Sequence, residues 1–105
     1  MQHLQSVAEH DQLVADSKIV VVKYGAVWCR PCVTLGAELA KMASEFESVT
    51  FASVDIDKIK HFQGCKLPTT RIYKGGEEID MAIGGSAASF IHEILEEMAA
   101  HEQPP

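Results

Sequence analysis

Hydrophobic positions change their period several times along this chain, and each change marks an element. Residues 19–22, Ile-Val-Val-Val, form an apolar run of the length of a buried strand, predicting a strand over 18–24. Behind it Leu35, Leu39, Met42, Ala43 and Phe46 recur at helical spacing, which predicts a helix over 32–47. Val49 to Asp55 is rich in strand formers again. A strand, a helix and a second strand of these lengths make a right-handed crossover with parallel strands. Upstream, Ser6-Val7-Ala8-Glu9 has the form of a capping box and opens an amphipathic helix over about 7–15, with Val7, Leu13 and Val14 turned to the core. Downstream come a short helix at about 58–63 and two strands, 70–74 and 78–83, joined by the hairpin signal Gly75-Gly76. Ser86 is expected to cap a last helix in which Phe90, Ile91, Ile94, Leu95 and Met98 repeat at helical spacing. The sum is one α/β domain over residues 1–105, with 102–105 a frayed tail: a mixed sheet flanked by helices on both faces.

Composition adds exclusions more than identity. A chain of 105 residues, 47% hydrophobic, suits one domain that buries a core without disulfide staples. A net charge of −6 without long acidic runs argues against a nucleic-acid or anionic-membrane partner. No apolar run approaches the ~20 residues of a membrane helix, and no secretory leader opens the chain, so a reducing cytoplasmic setting is expected. Three cysteines fit poorly with a secreted disulfide framework and leave Cys65 over. Cys65 reads first as a small half-buried packing residue, and second as a regulatory thiol able to pair two subunits.

The candidate chemistry lies at Val27-Trp28-Cys29-Arg30-Pro31-Cys32, where the strand pattern gives way to the helical one. Two thiols at this spacing fit a first helical turn, whose partial positive charge favours a thiolate. Cys29, at the helix start and exposed, is expected to attack, and Cys32, inside the turn and buried, to resolve. Open α/β sheets place their sites at this carboxyl end of a strand. Zinc is the competing use of such a pair, but Cys65 and the five histidines offer no second ligand pair at finger-like spacing.

Trp28-Cys29-Arg30-Pro31-Cys32, with Lys66-Leu67-Pro68-Thr69-Thr70 and Lys74-Gly75-Gly76-Glu77 downstream, resembles the thioredoxin family, in register from about Ser6 to His101. The resemblance implies the thioredoxin fold, with a central sheet of five or four strands. It implies a cis Pro68 against the dithiol, Leu67 backbone pairing with an incoming peptide, and a groove of Trp28, Pro31, Leu67, Pro68 and Thr69 with Gly84 at its far edge. It implies protein-disulfide reduction without a bound cofactor, disulfide-containing protein substrates, and recharging by an NADPH-dependent flavoprotein reductase. A monomer is expected.

Four positions depart from the family's pattern. Lys23 stands where the family usually has a buried aspartate beneath the dithiol, and Ser53 where it has that aspartate's lysine partner. A buried ammonium must snorkel outward, find a carboxylate or give up its proton. Charged near the thiols, Lys23 stabilises thiolate and makes the couple more oxidising; neutral, it can serve Cys32 as a base; turned away, it only covers apolar surface. Arg30 replaces a glycine and adds a permanent charge near Cys29. Ala37 replaces a proline that kinks the helix. The competing functions are therefore a redox-sensitive binding module and a more oxidising specialised relative. Asp55 and Asp57 read as turn formers, and His61, His92 and His101 as surface residues.

Overall fold

The computed structural model describes residues 1–16 and 18–102. In chain order the elements are β1 (Gln2–His3), α1 (Val7–Val14), β2 (Ile19–Gly25), α2 (Arg30–Glu45), β3 (Val49–Asp55), a 3-10 turn (Lys60–Phe62), β4 (Thr69–Lys74), β5 (Glu77–Ile83) and α3 (Ala88–Glu102). The five strands form one sheet in the order β1-β3-β2-β4-β5. Of the tail expected over 102–105, Glu102 closes α3; residues 103–105 and the side chain of His101 lie outside the described residues.

The crossover is as the pattern predicts: β2 and β3 pair in parallel from Ile19 opposite Val49 to Gly25 opposite Asp55. The antiparallel edge is added by β4 against β2 and β5 against β4. Gly75 and Gly76 turn that hairpin with φ of 62° and 86°, left-handed values that cost a glycine least. β1, which the periodicity does not reveal, pairs in parallel with β3 through Gln2 and His3. Two residues are too few to show a period.

Alternation along β2 divides the core. Val20, Val22 and Tyr24 face the layer of α1 and the 3-10 turn, packed with Val54, Tyr73, Leu13 and Phe62. Ile19 and Val21 face α2 and α3, packed with Leu35, Leu39, Ile72, Ile91 and Leu95. On the first face a polar chain runs through the apolar packing. His10 Nε2 lies 2.6 Å from the Tyr24 hydroxyl, which lies 2.8 Å from that of Tyr73, while His10 Nδ1 meets Asp11 at 2.9 Å. Burial and this mutual bonding push the Tyr24 phenol well above its ordinary range, and burial raises Tyr73 as well.

The helix ends correct two expectations. Ser6 caps α1, its hydroxyl accepting the Glu9 N–H at 3.1 Å, as the capping box predicts. The last helix is not capped by Ser86: the Ile91 N–H donates to the Ala87 carbonyl, which puts Ala87 at the N-cap. The loop before it is drawn against the dithiol segment, since a side chain on Gly85 would meet Pro31 Cβ at 2.7 Å. That contact sets the entry to α3, not a hydroxyl. α2 begins at Arg30 rather than at residue 32, because Cys29 itself is its N-cap.

Candidate active site

Cys29 and Cys32 are joined as a disulfide at the carboxyl end of β2, with their Cα atoms 5.2 Å apart. Cys29 is extended, at φ −91° and ψ 104°, and its sulfur accepts the Cys32 N–H at 3.3 Å. This is how the helix start acts on the sulfur: an amide that has no carbonyl partner within the helix points at it. Pro31 in the first turn lacks the N–H that would be unpaired there. The expectation that exposure separates the two thiols needs correction. Cys29 is 7% exposed and Cys32 1%, so in the disulfide both are buried and only their order is as expected. The N-cap position draws the Cys29 side chain back over the helix end.

Trp28 is 68% exposed beside the pair, and its indole Nε1 donates to Asp57 Oδ2 at 2.8 Å. Asp57 in turn donates its own N–H to Asp55 Oδ1 at 2.9 Å. The aspartates thus do form a turn, and Asp57 also holds the indole, a role the sequence reading missed. The Leu67–Pro68 peptide bond is cis. Thr69 is buried with its hydroxyl on the Lys66 carbonyl, Leu67 is half-buried, and the Gly84 N–H donates to the Pro68 carbonyl at 2.9 Å with Gly84 at φ 108°. Gly84 is therefore tied to Pro68, and its neighbour Gly85 to Pro31.

Lys23 does not turn away. It is half-buried on the α2 side of the sheet, and Nζ donates to the Cys32 carbonyl at 3.2 Å. Gly36 leaves it room: a Cβ there would lie 2.7 Å from Nζ. A Cβ on Gly25 would lie 3.1 Å from Cys32 Sγ and 3.7 Å from Lys23 Cε, so one small gap separates the amine's stem from the sulfur. Among the described residues no carboxylate forms an ion pair with Lys23, and burial pulls its pKa below the ordinary value. Opposite it in the register stands Thr70, whose Oγ1 is fully buried without a partner among the described residues. Gly25 and Gly36 leave the space for this arrangement. α2 is continuous from Arg30 to Glu45, with Ala37 inside it.

Arg30 is exposed at the first helical position. Cys65 is half-buried, and its thiol donates to the Phe62 carbonyl at 3.2 Å, in keeping with a packing residue. His61 is exposed, and His92 lies at the surface between Glu45 and Glu96. Among the described residues no three His, Cys, Asp or Glu side chains are arranged so that they could hold a metal ion.

This geometry is a disulfide-bonded cysteine pair at a helix start, in a chain that also carries a cis peptide bond before Pro68. The profile of the thioredoxin family matches residues 2–97. The chain belongs to the thioredoxin family. It is 32% identical to a thioredoxin of Mycoplasmoides gallisepticum over 99 residues, 90% of this chain and 99% of the relative. It is 31% identical to thioredoxin-2 of Saccharomyces cerevisiae, over 82% of this chain and 88% of that one. Among solved structures, the thioredoxin of Trypanosoma brucei brucei superposes with a TM-score of 0.86 at 27% identity, covering 93% of this chain and 89% of that one. As in other members of the family, the mixed sheet carries a thiol–disulfide oxidoreductase centre. Protein disulfides are reduced by exchange with the Cys29–Cys32 pair, and the electrons travel on the two sulfurs with no bound cofactor. Thioredoxins act on disulfide substrates and are recharged by a reductase. No described helix is long and apolar enough to cross a membrane.

Proposed function

We propose that Cys29 is the attacking thiol and Cys32 the resolving one. The observation that carries this is the Cys32 amide on Cys29 Sγ, which stabilises charge on that sulfur and not on the other. In the reduced protein the Cys29 thiolate attacks a substrate disulfide, forming a mixed disulfide and releasing one substrate thiolate. Cys32 then loses its proton and attacks Cys29 Sγ. The internal disulfide forms and the second substrate thiolate leaves, so two electrons pass to the substrate. Trp28, Pro31, Leu67, Pro68 and Thr69 form the receiving groove with Gly84 at its edge. A cytoplasmic monomer recharged by an NADPH-dependent flavoprotein, and thereby part of an electron-transport chain, completes the reading.

Lys23 makes this couple more oxidising than that of a typical thioredoxin. Its ammonium, held 3.2 Å from the Cys32 carbonyl with no carboxylate ion pair among the described residues, supports a thiolate at Cys32 and so stabilises the dithiol form. Arg30 acts in the same direction at Cys29, weakened by solvent. Cys65 takes no part in turnover.

Mixed-disulfide trapping on an insulin substrate tests the assignment. Cys32→Ser is expected to accumulate a covalent complex through Cys29, and Cys29→Ser to accumulate none. The reverse pattern would exchange the two roles. A wild type that binds a partner in one redox state but does not turn over insulin would favour a redox-sensitive binding module.

A further inference from the structure

A cavity of about 230 Å³ opens beside the dithiol segment, with Lys23 and Gly25 in its lining. Gly25, the last residue of β2, forms part of its wall, and a Cβ there would lie 3.1 Å from Cys32 Sγ. Lys58 and Asp55 are its other charged groups apart from His3, which is tied to Ser53 at 2.6 Å. Val27 and Val33, 79% and 58% exposed, make an apolar lip. The Lys23 ammonium has three N–H groups and one recorded acceptor, a backbone carbonyl. A half-desolvated cation of this kind gains from an anion that enters with it. Asp55, whose Oδ1 accepts the Asp57 N–H, is the one carboxylate in this lining. Two lysines against one carboxylate leave the cavity positive in a chain whose net charge is −6.

We propose that this cavity binds a small carboxylate on a short aliphatic stem, the carboxylate at Lys23 Nζ and the stem against Val27 and Val33. The volume lies below the ~300–1,000 Å³ of drug-sized sites, which selects a ligand of few heavy atoms. The lip rewards the stem and the floor rewards the charge, so neither an inorganic anion nor a neutral alkyl amide satisfies both. The inference rests on the charged Lys23 of the preceding reading. Neutralising that ammonium removes its support for a reduced sulfur, so the ligand favours the disulfide, and by linkage the disulfide form binds it more tightly.

The test is an NMR titration of the oxidised protein at neutral pH and constant ionic strength with sodium butyrate, against butyramide and sodium chloride. Saturable movement of the Lys23 ε-methylene and the Gly25 and Val33 amides is expected with butyrate alone. Lys23→Met is expected to weaken binding at least tenfold. Lys58→Gln, on an exposed side chain, is expected to weaken it a few-fold while insulin turnover without butyrate is unchanged. Equal responses to butyrate and butyramide, or movement confined to Lys58, would overturn the proposal. The Lys23 ε-methylene shift in the free protein keeps the two readings apart. A charged lysine with no saturable binding sinks the cavity ligand alone, whereas a neutral lysine sinks the charged-lysine tuning as well.

Discussion

The two faces of the sheet bury polar groups in opposite ways. Under α1, His10, Tyr24 and Tyr73 close a chain in which each polar atom meets another, and the chain ends on the exposed Asp11. Under α2, Lys23 holds one backbone carbonyl, and the Oγ1 of its register partner Thr70 has no hydrogen-bond partner among the described residues. A satisfied network of buried groups specifies packing, whereas an incompletely satisfied one stores electrostatic potential that a reaction can use. The difference separates the face that holds the fold from the face that serves the sulfurs. Cys32 lies on the boundary, its side chain in the first cluster and its helix in the second.

Deleting a hydroxyl on either face is the sharpest way to break the comparison. Tyr24→Phe leaves His10 Nε2 and the Tyr73 hydroxyl without their shared partner, and is expected to lower unfolding stability by about 1–3 kcal/mol in denaturant titration. The reduction potential should not move. Thr70→Val removes a buried oxygen that has no partner, keeps the shape, and is expected to raise stability by about 1 kcal/mol. A loss in both variants would mean that the two faces do not differ.

A smaller effect lies at the surface, where His92 Nε2 meets Glu45 at 2.6 Å and Nδ1 meets Glu96 at 3.1 Å. The hydrogen bond that the His92 imidazole donates to the Glu45 carboxylate raises the His92 pKa above its ordinary 6.5. A group whose folded pKa is raised binds its proton more tightly in the native state. Its contribution is therefore complete below about pH 6.5 and disappears as pH rises through the higher folded value. Stability of the wild type relative to His92→Gln should fall over that interval. A gap that widens with pH would contradict the pairing.

What the sequence makes legible follows from how locally each feature is encoded. The crossover, the hairpin and the dithiol are written in adjacent residues, so period and spacing find them. Pro68 and Gly84 are found by resemblance. Gly25 and Gly36 are not, because a glycine's purpose lies in what approaches it, and Lys23 and Cys32 approach from other elements. The buried His10 is hidden for the same reason: its partner Tyr24, and the Tyr73 that Tyr24 in turn meets, come from β2 and β4. Ser86 misleads because a hydroxyl near a helix start is a common cap, while here Gly85 against Pro31 fixes the path.

The central claim is that the lysine beneath the dithiol tunes it, and the potential of the Cys29–Cys32 couple in glutathione buffers tests this most directly. It should be measured at neutral pH in the wild type, in Lys23→Met and in Lys23→Asp. The account predicts a wild-type value clearly above the typical thioredoxin figure of about −270 mV, a lower one for methionine and the lowest for aspartate. A wild-type value at or below that figure, unmoved by either substitution, would contradict it.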